Sequence, residues 1–128
     1  MMKFTLLIAG LMFSVFSFAD TTLNEKNILG KYEMNGVVDL KVTILPNNKV
    51  EAIQVGIIFD TKCTGKYTYD QTNNEMVADL DCEGDSLHQK IEFANTTIED
   101  LKNGTQVHVS LEYKSENYDL DFDIKKVL

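Results

Sequence analysis

The segment Cys63–Cys82, CTGKYTYDQTNNEMVADLDC, holds both cysteines of the 128-residue chain and decides how the chain folds. Apolar and polar residues alternate on both sides of a centre, residues 70–75, that is rich in turn-forming side chains. This pattern predicts two antiparallel strands joined by a turn. If Tyr69 pairs with Met76, Cys63 lies directly opposite Cys82, because directly opposed residue numbers have a constant sum in an antiparallel hairpin.

The two cysteines are expected to form a disulfide bond. Directly opposed residues of an antiparallel pair lie about 4.5–5.5 Å apart at Cα, within the range that a disulfide accepts. Cys63 and Cys82 share the strand face of Tyr67 and Leu80, so the bond is expected to point into the core. A metal site is the alternative, but two thiols do not complete a tetrahedral site, and the one histidine nearby is His88.

The beginning of the chain has the pattern of a secretory signal peptide, residues 1–19. Lys3 precedes an apolar run over residues 4–16, and Ser17-Phe18-Ala19 has the small-x-small pattern of a cleavage site. The run is too short to cross a bilayer comfortably, so no membrane span is expected. The sequence therefore predicts a protein that is periplasmic or secreted, with residues 20–128 forming a single β-barrel-like domain. An oxidising compartment also favours the disulfide.

The charge balance limits the partners. The formal net charge is −8 at pH 7, and the sequence contains no arginine. This balance argues against binding to nucleic acid or to anionic membrane surfaces. It is compatible with a basic protein partner, with a cation, or with solubility as the sole role of the charge.

Period-2 alternation recurs along the rest of the chain, with turn residues between the segments, and one short helix is expected. The strands are predicted at residues 30–34, 38–44, 50–59, 61–69, 76–82, 87–93, 107–113 and 118–124, and the helix at residues 97–102. This arrangement predicts an all-β fold, a small antiparallel up-and-down barrel or sandwich of about eight strands.

The predicted strand 50–59 differs from the others because its second half is apolar at every position. Either both faces of this strand are covered, or one apolar face is exposed and contacts a partner or a second subunit. Gly56 marks a bulge or kink in this segment. The expected state of the protein is a monomer or a weak homodimer.

No arrangement of a nucleophile and a base is recognisable, so the protein is not expected to be an enzyme, and no cofactor is implied. His88 and His108 occupy polar positions of alternating strands and are expected to face solvent. If Tyr113 pairs with Tyr118, His108 lies opposite Asp123 and forms a surface ion pair with it.

Two acidic stretches are candidate binding sites. Asp79, Asp81, Glu83 and Asp85 resemble the start of a calcium loop, but the twelfth position is Lys90 rather than a bidentate glutamate. Alternation along a strand explains these carboxylates without a metal. Asp119, Asp121 and Asp123 share one strand face, where mutual repulsion is relieved by nearby lysines or by a basic protein partner.

Several aromatic residues share strand faces with apolar residues and are expected to point into the barrel. They either form a packed core or line a cavity for a small apolar molecule. The candidate ligand-binding residues are Tyr32, Tyr67, Tyr69, Phe93, Tyr113 and Phe122.

The segment Gly30-Lys31-Tyr32, which follows a short helical turn and opens the first of eight strands, resembles the start of the lipocalin (calycin) family. That family has tryptophan where this chain has Tyr32, and an arginine near its C-terminus, which this chain lacks. The resemblance implies a barrel that holds a small apolar molecule. Two functions are expected. The aromatic residues and this resemblance favour a small binding protein with an internal ligand, and the acidic stretches favour an interaction or inhibitor protein with an acidic surface.

Overall fold

The computed structural model describes residues 22–128, and the predicted signal peptide lies outside these residues. Eight antiparallel strands form one closed barrel in which each strand pairs with its neighbours in sequence and the first pairs with the last. The strands are β1 (Gly30–Asn35), β2 (Asp39–Leu45), β3 (Lys49–Gln54), β4 (Thr61–Asp70), β5 (Glu75–Cys82), β6 (Asp85–Glu92), β7 (Thr105–Tyr113) and β8 (Glu116–Lys126), and a short helix, α1 (Ile98–Asn103), precedes β7. The predicted all-β, up-and-down barrel with one short helix is confirmed.

Because neighbouring strands run in opposite directions, the connections divide between the two ends of the barrel. The end formed by the β1–β2, β3–β4, β5–β6 and β7–β8 connections is called the open end. The opposite end, which carries the N-terminal turn (residues 22–29) and α1, is called the closed end.

The β4–β5 hairpin has the predicted register. Tyr69 pairs with Met76 and Gly65 with Leu80, so Cys63 and Cys82 come opposite each other. Their sulfur atoms form a disulfide bond, with the two Cα atoms 4.1 Å apart. Both cysteines are buried, so the predicted disulfide and its inward orientation are confirmed.

The closed end is filled by apolar side chains from outside the strands. Leu23 and Ile28 of the N-terminal turn and Leu101 of α1 are buried in the core. The Tyr32 hydroxyl donates a hydrogen bond of 2.7 Å to the Ile28 carbonyl, which fastens the turn to β1. Burial raises the pKa of Tyr32, with a smaller contribution from nearby Tyr67, so the hydroxyl remains a donor at physiological pH.

The N-terminus of α1 carries a capping box. The N-cap is Thr97, whose hydroxyl accepts a hydrogen bond from the Asp100 amide, while the Asp100 carboxylate accepts one from the Thr97 amide. Ile98 and Leu101 are thereby turned towards the core. The helix packs against β8.

The predicted strand 50–59 is wrong in its second half, because β3 ends at Gln54. Residues 55–60 form a turn in which the Gly56 amide donates to the Asp60 carboxylate at 3.2 Å. A β-carbon on Gly56 would lie 2.1 Å from the Phe59 carbonyl oxygen, so this turn requires glycine. The alternative in which both faces of a strand are covered is wrong, because the segment is a loop with exposed apolar side chains. Its contact with a partner or a second subunit stays a prediction.

The predicted register of the last hairpin is also wrong. Tyr113 pairs with Glu116 rather than with Tyr118, because Lys114 and Ser115 form a two-residue turn with positive φ. His108 therefore lies opposite Asp121, and not opposite Asp123.

Among residues 22–128, no helix combines the length and the apolar character that crossing a bilayer requires.

Candidate functional site

The interior of the barrel contains an apolar cavity of about 290 Å³ at the open end. Its walls come from inward-facing positions of β2 to β8 and from the β1–β2 connection. The lining residues are Val37, Val38, Leu40, Ala52, Gln54, Thr61, Cys63, Cys82, Leu87, Gln89, Leu111, Tyr113, Tyr118 and Leu120.

The cavity exists because, among residues 22–128, no side chain from outside the strands fills the open end. The closed end, in contrast, is filled by side chains of the N-terminal turn and α1. Ala52 and the disulfide leave room on one side, since their side chains are small. Leu87, Leu111 and Leu120 point inward but remain only partly buried. Apolar side chains that face each other across unfilled space lose packing contacts, which an apolar molecule in this space would restore.

Gln89 is the single polar residue that is buried among residues 22–128, with 3% of its surface exposed. It lies at an inward position of β6, between Leu87 and Ile91, opposite Ala78 on one side and Leu111 on the other. Its side-chain amide nitrogen is shielded from solvent and has no hydrogen-bond partner. A buried donor without an acceptor is unfavourable, so Gln89 brings an unsatisfied polar group into the wall of this cavity.

The rim of the cavity is both aromatic and acidic. Tyr113 and Tyr118 lie on β7 and β8, and their hydroxyls donate hydrogen bonds to Asp85 at 3.4 Å and to Glu116 at 2.6 Å. The hydrogen bond to Glu116 is the main cause that raises the pKa of Tyr118. Among the lining residues there is no lysine and no histidine, so the cavity offers no cation to a charged ligand.

The β3–β4 loop extends the apolar surface beyond the rim. Ile57, Ile58 and Phe59 are exposed at 105%, 90% and 73% of their reference areas. The loop directly joins Gln54 and Thr61, which both line the cavity. The open end therefore presents apolar side chains to solvent next to an apolar interior.

Of the six predicted ligand-binding residues, Tyr113 alone lines this cavity. Tyr32, Phe93 and Phe122 are fully buried parts of the core. Tyr67 and Tyr69 lie towards the closed end, where their hydroxyls donate to the Leu45 carbonyl at 3.3 Å and to Asn74 at 2.6 Å. The fold thus distributes these aromatics between the core and both ends.

The acidic face of β8 has a histidine beside it. His108 contacts Asp121 through Nδ1 at 3.1 Å and Asp119 through Nε2 at 3.3 Å, and Glu92 is 3.8 Å away. The hydrogen bond to Asp121 is the main cause that raises the pKa of His108, and Asp119 and Glu92 raise it further. Asp123 is exposed on the same strand and lies apart from this cluster.

The carboxylates of the calcium-like stretch contact separate partners. Asp79 is 2.6 Å from His88 Nδ1, Asp81 accepts from the Gly84 amide at 3.1 Å, and Asp85 is 3.7 Å from the Lys114 amine. Glu83 forms the β5–β6 turn with positive φ. Within residues 22–128, no group of three or more histidine, cysteine or acidic side chains is arranged to hold a metal ion.

A second, larger depression of about 530 Å³ lies outside the barrel, beside α1. Many of its lining residues are polar, including Glu92, Thr96, Asp100 and His108. It is not enclosed by the strands, so the open-end cavity is the better candidate for a small apolar ligand.

Sequence reasoning did not select Gln89 as a site residue, although the signal was present. The inward series Leu87, Gln89, Ile91 and Phe93 contains one polar member. A polar residue at an inward position of an otherwise apolar strand indicates either a buried hydrogen bond or a ligand contact. The leucines of the lining carry no comparable signal, because inward leucines are equally typical of a packed core.

Comparison with protein-family models, with curated protein sequences and with solved structures gives no match for this chain. The resemblance to lipocalins remains a prediction from the first strand and the number of strands.

Proposed function

We propose that this protein is an exported small binding protein that holds a small apolar molecule in the open end of its barrel. The observation that carries the proposal is the apolar cavity of about 290 Å³ that opens at one end of an otherwise packed interior. Ligand sites in proteins are typically concave and mostly apolar, with a few polar groups that fix orientation. Gln89 and the rim tyrosines are the polar groups here.

The size of the cavity limits the ligand. A cavity of about 150 Å³ lined by apolar side chains accommodates benzene. The open-end cavity has about twice that volume, so it suits a molecule of about twice the size of benzene. Molecules with long acyl chains would extend past the rim onto the exposed β3–β4 loop.

The disulfide supports export to the periplasm or to the outside of the cell. Disulfide bonds persist in oxidising compartments and are rare in the cytosol. The Cys63–Cys82 bond also forms part of the cavity wall. The predicted signal peptide over residues 1–19 and the disulfide point to the same location.

The proposal is tested by calorimetric titration of the protein with butyrophenone, a neutral aromatic ketone of suitable size. Leu111→Trp places a large side chain in the cavity and is expected to abolish binding. Leu29→Trp is the matched control, because Leu29 is a partly buried residue at the closed end. Saturable binding that is lost in the first variant alone supports the proposal. Absence of binding to the unaltered protein, or equal loss in both folded variants, contradicts it.

The acidic face of β8 supports a second candidate function, binding of a basic protein partner. The side chains of Asp119 and Asp121 are 74% and 61% exposed, and Asp123 is exposed beside them. The ion pairs that lysines form within residues 22–128 all go to other carboxylates. A row of exposed carboxylates without lysine partners is complementary to a lysine-rich surface.

This second function is tested with an oligolysine peptide at several salt concentrations. The variant D119N/D121N/D123N is expected to lose most of the salt-dependent affinity. The variant D79N/D81N/E83Q changes the net charge by the same amount on β5 and in the turn that follows it, and serves as control. Equal weakening in the two variants would show attraction to net charge alone and would contradict a site on β8.

A further inference from the structure

The cavity at the open end contains a feature that defines the chemistry of its ligand. Gln89 is buried within the wall, and its amide nitrogen lacks a hydrogen-bond partner. In a folded protein, such a donor is normally paired with the protein, with water or with a bound molecule. The amide nitrogen is shielded from solvent, and the surrounding wall residues are mostly leucine, alanine and valine.

The amide is able to reach a ligand without movement of the strand. The torsion that orients a glutamine amide is an sp³–sp² rotation, which is broad and soft. Gln89 already lines the cavity, so a rotation of its terminal amide turns the N–H towards the guest. The matching ligand atom is an acceptor oxygen that enters the cavity ahead of, or beside, the apolar part of the molecule.

The surroundings also determine the charge of that oxygen. The lining contains no lysine or histidine, and the carboxylates Asp85 and Glu116 bind the hydroxyls of Tyr113 and Tyr118 at the rim. The Lys114 amine lies 5.3 Å from the Tyr113 ring and is already paired with Asp85 at 3.7 Å. Burial of a carboxylate without a cation is strongly unfavourable. The chain as a whole also carries a net charge of −8, which adds to the repulsion of anions. A neutral oxygen avoids both penalties.

We infer that the ligand class of the open-end cavity is neutral apolar molecules with a carbonyl oxygen, such as ketones, aldehydes or esters, and that the Gln89 amide donates a hydrogen bond to that oxygen. The inference rests on the proposed function, because it assigns the ligand chemistry of the same cavity. Gln89 is then the specificity-determining residue. The leucines supply apolar contact that does not depend on the functional group of the ligand.

Three probes of equal size test this assignment: butyrophenone, pentylbenzene and 3-phenylpropanoate. They have the same number of non-hydrogen atoms but differ in carrying a ketone, no polar group or a carboxylate. Each is titrated into the unaltered protein and into Gln89→Leu, which removes the donor and keeps a similar volume. Gln106→Leu is the matched control, because Gln106 is an exposed strand residue that does not line this cavity.

The expected result is that Gln89→Leu weakens butyrophenone about tenfold, the usual effect of losing one neutral hydrogen bond. Pentylbenzene is expected to bind Gln89→Leu at least as well as the unaltered protein, and Gln106→Leu is expected to change neither affinity. The propanoate is expected to bind the unaltered protein at least tenfold more weakly than the ketone at neutral pH. The infrared carbonyl stretch of bound butyrophenone should move to higher frequency in Gln89→Leu, which reports the lost hydrogen bond directly.

Two kinds of failure are distinguishable. If the ketone and the hydrocarbon bind but Gln89→Leu affects them equally, or if the carboxylate binds as well as the ketone, the ligand class is wrong and the pocket remains. If no probe binds the unaltered protein, both the ligand class and the proposed function are wrong.

Discussion

Gln89 is the residue at which stability and binding oppose each other. Its amide nitrogen is buried and has no hydrogen-bond partner. The substitution Gln89→Leu is therefore expected to raise the free energy of unfolding of the ligand-free protein by about 1–2 kcal/mol, because it removes an unsatisfied buried donor without leaving a cavity. Chemical denaturation of the two proteins measures the difference. A loss of stability would show that the amide is paired in solution.

At His108, the structure makes a prediction that differs from the one made by the sequence. The sequence pairs this histidine with Asp123, whereas the structure pairs it with Asp121. Asp121→Asn is expected to lower the pKa of His108 towards its ordinary value of about 6.5, because the largest stabilising contact of the imidazolium is lost. Proton NMR of the ring against pH measures this pKa, and Asp123→Asn is the control. A larger effect of Asp123→Asn would contradict the register of β7 and β8.

The same histidine gives stability a defined pH dependence. Its pKa is raised in the folded protein, so the imidazolium contributes stability fully below the unfolded pKa of about 6.5. This contribution is lost as the pH rises through the folded pKa. His108→Asn should remove this part of the pH dependence, and exposure of the cluster keeps its size small.

Among the elements, the β3–β4 connection shows most clearly where sequence patterns fail. The apolar run over residues 55–59 favours continuation of a buried strand, yet the strand ends at Gln54. Local turn geometry at Gly56 and Asp60 overrides the apolar pattern. An apolar pattern predicts a buried strand only where the apolar side chains are in fact buried. The apolar side chains of this loop are exposed.

The loop makes a clear prediction about stability. The triple variant I57S/I58S/F59S is expected to change the free energy of unfolding by no more than about 0.5 kcal/mol, because exposed side chains contribute little to folding. Thermal and denaturant unfolding measure this free energy. Ile91→Ser, at a buried position of β6, serves as the destabilised control. A loss of several kcal/mol would mean that the loop is covered in solution, as one of the sequence interpretations holds.

Hairpins differ in how well the sequence determines them. The β4–β5 register follows from the sequence because two cysteines, two tyrosines and a central turn agree on one pairing. The β7–β8 register does not follow from the sequence, because Lys114 and Ser115 are not typical residues of a tight turn. Tyr113 and Tyr118, on either side of this turn, also form a plausible pair. The predicted register is therefore correct for the β4–β5 hairpin and displaced by two residues for the β7–β8 hairpin.

At the scale of the whole molecule, the number of strands and their order follow from alternation and turn residues, but the location of the cavity does not. Inward apolar residues occur towards both ends of the barrel. The closed end is packed because the N-terminal turn and α1 supply Leu23, Ile28 and Leu101, which are remote in sequence from many of the residues they contact. The open end has no such covering segment among residues 22–128, and this asymmetry is a property of the folded chain.

The most direct test of the account is methyl NMR of the protein during titration with butyrophenone. Saturable shifts are expected for methyl groups of Leu87, Leu111 and Leu120, which line the open-end cavity, while Ile28 and Leu101 at the closed end stay unchanged. The aromatic ring of the probe makes such shifts large. If no saturable shift occurs, or if the closed-end methyl groups respond most strongly, the open end of this barrel is not a ligand site.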